Sequence, residues 1–243
     1  MQRVLRQWVT AGRMPVALFV LCGLLLGGAA NAAGADPAEE HPAKALASYA
    51  LGRNIAALLL NERFQVDEEM LVRGAVDRLR GQEPLFDDER LERAVAFLHQ
   101  ERDERLWREE AARNLEYANA YLEANKAREG VYVTPSGLQY EVVRPGSGRT
   151  PTASDVVRVH YHGIFGDGSE FDSSYRRGEP SVFAVGEVIP GWAEALQLMP
   201  VGAMWWVYVP PHLGYGEQGA GPIGPNELLI FAIELLEIVE ESE

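Results

Sequence analysis

The sequence predicts an α+β protein: an all-helical N-terminal part, a long connecting helix, and a C-terminal antiparallel sheet with one short helix packed on it. Three observations predict it. Apolar residues recur at helical spacing, among good helix formers, up to Gly130. Beyond Gly130 the period changes to strand alternation punctuated by Gly and Pro turns. Finally, a set of aromatic and aliphatic residues is spread through the last part of the chain: Tyr161, Phe171, Phe183, Val188, Ile189, Trp192, Tyr215, Ile223 and Phe231. A single aspartate, Asp172, sits directly after one of the phenylalanines. No nucleophile–base pair, phosphate loop or cysteine-rich metal spacing accompanies them. Such a set suits a concave site that binds an apolar group and changes its conformation, rather than one that makes or breaks bonds.

Taken in order, residues 1–32 are expected to be a signal peptide. Arg3, Arg6 and Arg13 form a positive stretch, 16–30 is an apolar run, and Ala30-Asn31-Ala32 offers small residues for cleavage. The run is shorter than the ~20 residues of a membrane span. Removing this leader takes three arginines and Cys22, the only cysteine, and moves the net charge from −14 to −17. So acidic a balance argues against nucleic acid and anionic membrane surfaces as partners and favours solubility. Residues 33–42, small and polar, read as a flexible tail.

Two helices are expected in a 43–87 helical domain. The first covers 43–61, with Gly52 marking a close helix–helix approach. The second covers 67–80, with Asp67 as N-cap, Glu68 and Glu69 in the first turn and Gly81 as terminator. These helices are too small to bury their apolar faces alone, so pairing with a second chain is the natural solution. A third helix starts near Asp87 or Asp88 and meets no Gly or Pro until Gly130. At 1.5 Å per residue its length would be about 60 Å. Its middle, 101–113, is dense in mixed charge, which predicts a connector (88–130) bridging two bodies through solvent; two shorter helices with an unmarked break are the alternative.

In the remaining domain, 131–243, strands are expected at 138–142, 157–161, 204–209 and 228–238, and a short helix at 190–198 with Pro190 in its first turn. Alternation turns Val157, Val159 and Tyr161 to one face and Arg158, His160 and His162 to the other. His160 and His162 could pair on a metal, but with no third ligand in the sequence they read as two exposed histidines. No cofactor and no metal are expected. The 212–226 loop, rich in glycine, reads as the rim of a site.

The stretches VHYHGIFGDGSEFDSSYRRGEP, VIPGWAEALQLMPVGA, GYG and GPIGPNELLIFAIELLEI resemble the FKBP-type peptidyl-prolyl cis-trans isomerases over about 134–239. The chain after the leader is similar to the bacterial Mip- and FkpA-like branch, which carries an N-terminal helical dimerisation domain. That resemblance implies a twisted antiparallel sheet wrapped around a short helix, with the pocket between them. It implies Trp192 as the pocket floor and Tyr161, Phe171 and Phe231 as walls. Phe183 would stand at the side, and Val188, Ile189 and Ile223 on the rim. It implies that Tyr215 offers its hydroxyl, and Ile189 its backbone N–H, to a substrate carbonyl. Asp172 would lie at the edge, held by Tyr161 or by an arginine, with Arg176 and Arg177 equally available. The catalytic set implied is thus Tyr161, Asp172, Tyr215 and Phe231. Two departures stand out: Leu213-Gly214 precedes Tyr215 where relatives commonly carry Ala, and Ser181 and Val182 flank Phe183 where some relatives have a further aromatic.

The implied activity is prolyl isomerisation in exported, periplasmic proteins. The implied partners are unfolded or proline-containing polypeptides, macrolide inhibitors of the family, and a second copy of the chain bound through the N-terminal helices. The competing expectation is a mainly non-catalytic dimeric chaperone whose helical part cradles unfolded chains.

Overall fold

The structure, a computed structural model, describes residues 43–239. The expected leader, with Cys22, and the tail at 33–42 lie outside the described residues. The described residues fall into two units that divide within the first helix, after residue 55.

Helix α1 spans Ala43–Asn61. Its residues are solvent-exposed as far as Leu58, including Leu46, Tyr49, Leu51 and Ile55. The close approach expected at Gly52 is not made within the single chain: a Cβ built there meets nothing within 4 Å. Helix α2, Glu68–Leu79, starts where its chemistry directs, with the Asp67 carboxylate accepting from the N–H of Met70 (2.9 Å). Arg80 caps it, and Gly81 at φ +65° turns the chain away.

Helix α3 runs unbroken over 38 residues, Asp88–Asn125, capped by the Asp87 carboxylate on the N–H of Arg90 (2.8 Å). It is one helix, not two. It ends before Gly130 because the chain turns at 126–129 into the first strand. Its first part, 88–97, is solvent-exposed, but its C-terminal part packs on the sheet. Ala118, Leu122 and Asn125 are buried, and Ala118 and Leu122 form a small core with Tyr208, Leu228 and Ile230.

The sheet has seven strands: β1 Val131–Val133, β2 Gln139–Arg144, β3 Val156–Phe165, β4 Glu170–Ser173, β5 Ser181–Ala184, β6 Met204–Val209 and β7 Leu229–Val239. Every pairing is antiparallel, in the order β1-β2-β6-β7-β3-β4, with β5 also paired to β3. The short edge strands β1, β4 and β5 were not expected; each has only three or four residues, too few to show a period. Helix α4, Ser174–Arg177, follows β4, and α5, Pro190–Leu196, lies between β5 and β6 with proline at its first turn. Alternation along β6 and β7 sorts the residues into two layers. Trp205, Val207, Val209, Leu229, Phe231, Ile233 and Leu235 join the main core with α5 residues Trp192, Ala195 and Leu196. Tyr208 and Ile230 point the other way, into the layer shared with α3. The sheet is therefore covered on both faces.

Candidate active site

Each wall of the site comes from a different element. Strand alternation aims Tyr161 inward from β3 and Phe231 inward from β7, and the two strands pair in register through Tyr161↔Ile233 and Gly163↔Phe231. Phe171 comes from β4, Phe183 from β5, and Trp192 from the first turn of α5. The indole of Trp192 is met edge-on by three rings. Tyr161 lies 5.1 Å away at 86°, Phe183 5.6 Å at 84°, and Phe231 5.1 Å at 83°. Phe171 meets Phe231 in the same manner, 5.5 Å and 88°. Edge-to-face contacts place the positive ring edge against a neighbour's negative face and hold the rings upright, which keeps a space open between them.

That space is a cavity of about 330 Å³ lined by Tyr161, Phe171, Asp172, Phe183, Glu187, Val188, Ile189, Trp192, Tyr215 and Phe231. It is within the range of a small-ligand site. Other clefts are larger. One of about 430 Å³ lies between α2 and the start of α3, and one of about 560 Å³ lies beside α5. Neither gathers more than one aromatic ring, so the chemistry singles out the smaller cavity.

Nine of the ten residues expected at the site thus line one cavity. Ile223 is the exception: it lies in the main core, 7 % exposed, and is not among the lining residues. Its loop closes into a tight hairpin in which Ala220 and Ile223 exchange backbone hydrogen bonds of 2.9 Å, and this accompanies an inward side chain. Two contributors were not anticipated. Glu187 lines the cavity from the turn before Val188. Gly163 lies beneath the walls: a Cβ there would meet Phe171 Cζ at 2.7 Å and Phe231 Cε1 at 3.0 Å, so only glycine lets β3 bring those rings together. A glycine inside a strand pattern was the available signal.

Asp172 is held from several sides. The Tyr161 hydroxyl donates to its Oδ2, Arg177 Nη1 pairs with its Oδ1, and the N–H of Ser173 donates to Oδ1 at 2.8 Å. Arg177 Nη2 also donates to the Tyr161 hydroxyl and to Ser181 Oγ, both at 2.9 Å. The choice left open by the sequence therefore falls on both Tyr161 and Arg177. Arg176 pairs instead with Glu170 (2.9 Å). Burial pushes the Asp172 carboxyl up, but the Tyr161 hydroxyl and the Arg177 guanidinium outweigh it and leave the group below its ordinary value of 3.8. The same burial, helped by the neighbouring carboxylate, raises the Tyr161 hydroxyl. At neutral pH Tyr161 therefore keeps its hydrogen and Asp172 stays ionised, so the cluster can orient a ring and set a negative charge at the cavity's edge.

Among the described residues the buried Nε1–H groups of Trp192 and Trp205 have no partner in the protein, and of these Trp192 lines the cavity. The N–H of Ile189 is also without a protein partner; it stands at the N-cap of α5 while its carbonyl accepts from Trp192 and Ala193. Tyr215 is 41 % exposed, its hydroxyl likewise without a protein partner. His160 and His162 are engaged elsewhere. His160 contacts Ser174 Oγ (3.0 Å) and stacks on Tyr175, and His162 meets Glu170 (2.9 Å).

Comparison with known proteins points the same way. A family model described as FKBP-type peptidyl-prolyl cis-trans isomerase matches residues 147–236, and one described as the domain amino-terminal to that isomerase matches 44–142. The FKBP-type 22 kDa peptidyl-prolyl cis-trans isomerase of Escherichia coli is 43% identical over 198 residues, 81% of this chain and 96% of the relative. The outer membrane protein MIP of Legionella longbeachae is 38% identical over 195 residues, 79% of this chain and 84% of the relative. Among solved structures, FkpA from Escherichia coli superposes with a TM-score of 0.63 at 32% identity, covering 82% of this chain and 97% of that one.

Proposed function

Since the chain belongs to the FKBP-type peptidyl-prolyl cis-trans isomerases, we propose that it isomerises prolyl bonds of exported proteins in the aromatic cup around Trp192. The observation that carries this reading is the ring arrangement: three aromatic rings set perpendicular to one indole, around a space of about 330 Å³, with one ionised carboxylate at its margin. In this reading Tyr161, Asp172, Tyr215 and Phe231 act on the reacting bond, and Phe171, Phe183, Val188, Ile189 and Trp192 bind the prolyl ring and its neighbours. Ile223 supports the loop from within the core.

The task is modest. A prolyl bond rotates over a barrier of ~18–20 kcal/mol and takes tens to hundreds of seconds unaided. An ordinary turnover rate needs about 4–7 kcal/mol of that barrier removed. A twisted amide has lost its resonance and much of its charge separation, so a dry aromatic cavity penalises it less than the planar form. Shape complementarity to the twisted bond adds to this. The free N–H of Ile189 and the Tyr215 hydroxyl are donors for the carbonyl oxygens of the bound peptide. No covalent step is required.

Export is supported by the arginine-flanked apolar run at 16–30 and by a relative named as an outer membrane protein. A homodimer formed through the N-terminal helices is supported by the exposed apolar residues of α1. Those residues also favour the second reading, a helical part that holds unfolded chains. One assay separates the two: prolyl isomerisation followed for the leaderless protein beside Asp172→Ala and Phe231→Ala. Catalysis that falls by roughly ten- to a hundredfold in the variants supports the enzyme reading. If all three proteins give the uncatalysed rate, the chain acts as a binding protein only.

A further inference from the structure

The sequence reading treated α3 as a connector, yet one stripe of it, Trp107, Ala111, Asn114 and Ala118, then Leu122 and Asn125, faces the sheet domain. The first three of these reach the cup's own loops. Trp107 Nε1–H donates to the carbonyl of Glu217 (3.1 Å), two residues after Tyr215. Asn226 Nδ2 donates to the carbonyl of Ala111 (3.3 Å). Asn114 Nδ2 donates to the carbonyl of Pro225 (2.8 Å) and to Glu227 Oε1 (3.2 Å). Three residues further on, the Tyr117 hydroxyl donates to the carbonyl of Gly166 (2.7 Å), in the turn that leads into β4 with Phe171 and Asp172. A Cβ at Gly166 would meet the Tyr117 ring at 2.3 Å, so that turn lies directly against the helix.

The loop between β6 and β7 has little regular structure of its own. It contains no strand, only two short turns of 3₁₀ helix, and Gly216, Gly219 and Gly221 all stand at positive φ. Glycines in such conformations retain much freedom in any state not tied down. Within itself the loop is closed by the Ala220–Ile223 pair and by the N–H of Asn226 on the carbonyl of Gly216 (2.8 Å). From outside, α3 holds the loop at its middle, Glu217, and at its C-terminal end, 225–227. Ile223 is buried in the main core, and His212 Nε2 meets the carbonyl of Ser136 (3.0 Å).

We propose that α3 is a positioning element of the isomerase site. Trp107 and Asn114 clamp the loop that presents Tyr215, and through it set the height of the cup's rim. This rests on the reading of the cup as the catalytic site. Trp107 and Asn114 touch no substrate and act through the loop.

The test uses the leaderless full chain with Trp107→Phe, which keeps a ring but removes the donor, and Asn114→Ala. Phe231→Ala serves as the reference for the cup itself. Prolyl isomerisation is measured beside amide hydrogen exchange of the native protein. Each clamp variant is expected to lower kcat/KM by roughly three- to tenfold, the size of one or two lost hydrogen bonds. The amides of Ala220, Ile223 and Asn226 are expected to exchange faster while those of β7 keep their wild-type rates. Unchanged kcat/KM in both clamp variants, with Phe231→Ala impaired, overturns the clamp and leaves the cup standing. Loop and β7 amides accelerating together also overturn it, because the loss is then one of global stability. If Phe231→Ala is as active as wild type, the cup reading fails and the clamp fails with it.

Discussion

Asp172 is a carboxylate at the edge of the cavity whose state is set by its neighbours. Its carboxylate accepts from Tyr161, Arg177 and the backbone of Ser173, and these bonds hold it ionised against the cost of burial. Because its pKa is depressed on folding, it contributes stability above its ordinary value of 3.8, and that contribution is lost as pH falls through the folded value. In Asp172→Asn this increment is absent. Urea denaturation at a series of pH values should therefore show wild type more stable at neutral pH and the two curves converging in acid. Parallel curves would mean that the knot contributes nothing to stability. Asp155, Asp167 and Glu234 are depressed as well, by Arg149, by Ser169 and by Arg144 respectively, but they act equally in both proteins and cancel from the difference. Gly163 teaches the complementary lesson: there the site depends on the absence of a side chain.

Among the elements, α3 departs most from its sequence pattern. The stripe that docks on the sheet is built from Trp, Ala, Asn and Leu at steps of three and four, so its apolar signal is weak and the surrounding charges dominate any average over the helix. What marks it as buried is small residues and polar groups with partners. Asn125 Nδ2 donates to Gln139 Oε1 (2.9 Å), and Gln139 Nε2 donates to the carbonyl of Leu122 (2.9 Å), so both buried amides are paired. Leu122→Ala removes buried apolar volume between α3 and the sheet and should cost about 2–3 kcal/mol in urea denaturation. A cost below about 0.5 kcal/mol, the range of a surface change, would show that the helix is not docked in solution. Helix α5 is the opposite case. Pro190 and the apolar Trp192, Ala195 and Leu196 announced both its start and its buried face, and the structure agrees to within two residues at its end.

On the scale of the molecule, the two apolar surfaces have different fates. The sheet buries both of its faces within one chain, one against α5 and one against α3. Helix α1 buries none of its residues, although Leu46, Tyr49, Leu51, Ile55, Leu58 and Leu60 are all more than half exposed. Apolar surface on that scale marks an interaction site. If the interface is made by α1 and α2, a fragment beginning at Asp87 should run as a monomer in gel filtration while the longer chain runs as a dimer. A fragment that stays dimeric would place the interface elsewhere. The fragment keeps α3 because its removal would uncover Tyr208, Leu228 and Ile230 and create a new sticky face.

The sequence by itself determined the longer elements, their order and most of the residues that line the cavity. Caps at Asp67 and Asp87, the change of period after Gly130 and the ordered motifs around Tyr161, Trp192 and Phe231 are local signals, and local signals survive in one dimension. Tertiary structure decided what depends on distance. It assigned Asp172 to Arg177 rather than Arg176, and it drew Ile223 into the core. It made Gly163 indispensable between two rings and pressed α3 onto the back of the sheet. Each of those outcomes turns on which atoms come within a few ångströms across a fold. The identities of two neighbouring arginines, or of an alanine and an asparagine on a charged helix, carry no record of that.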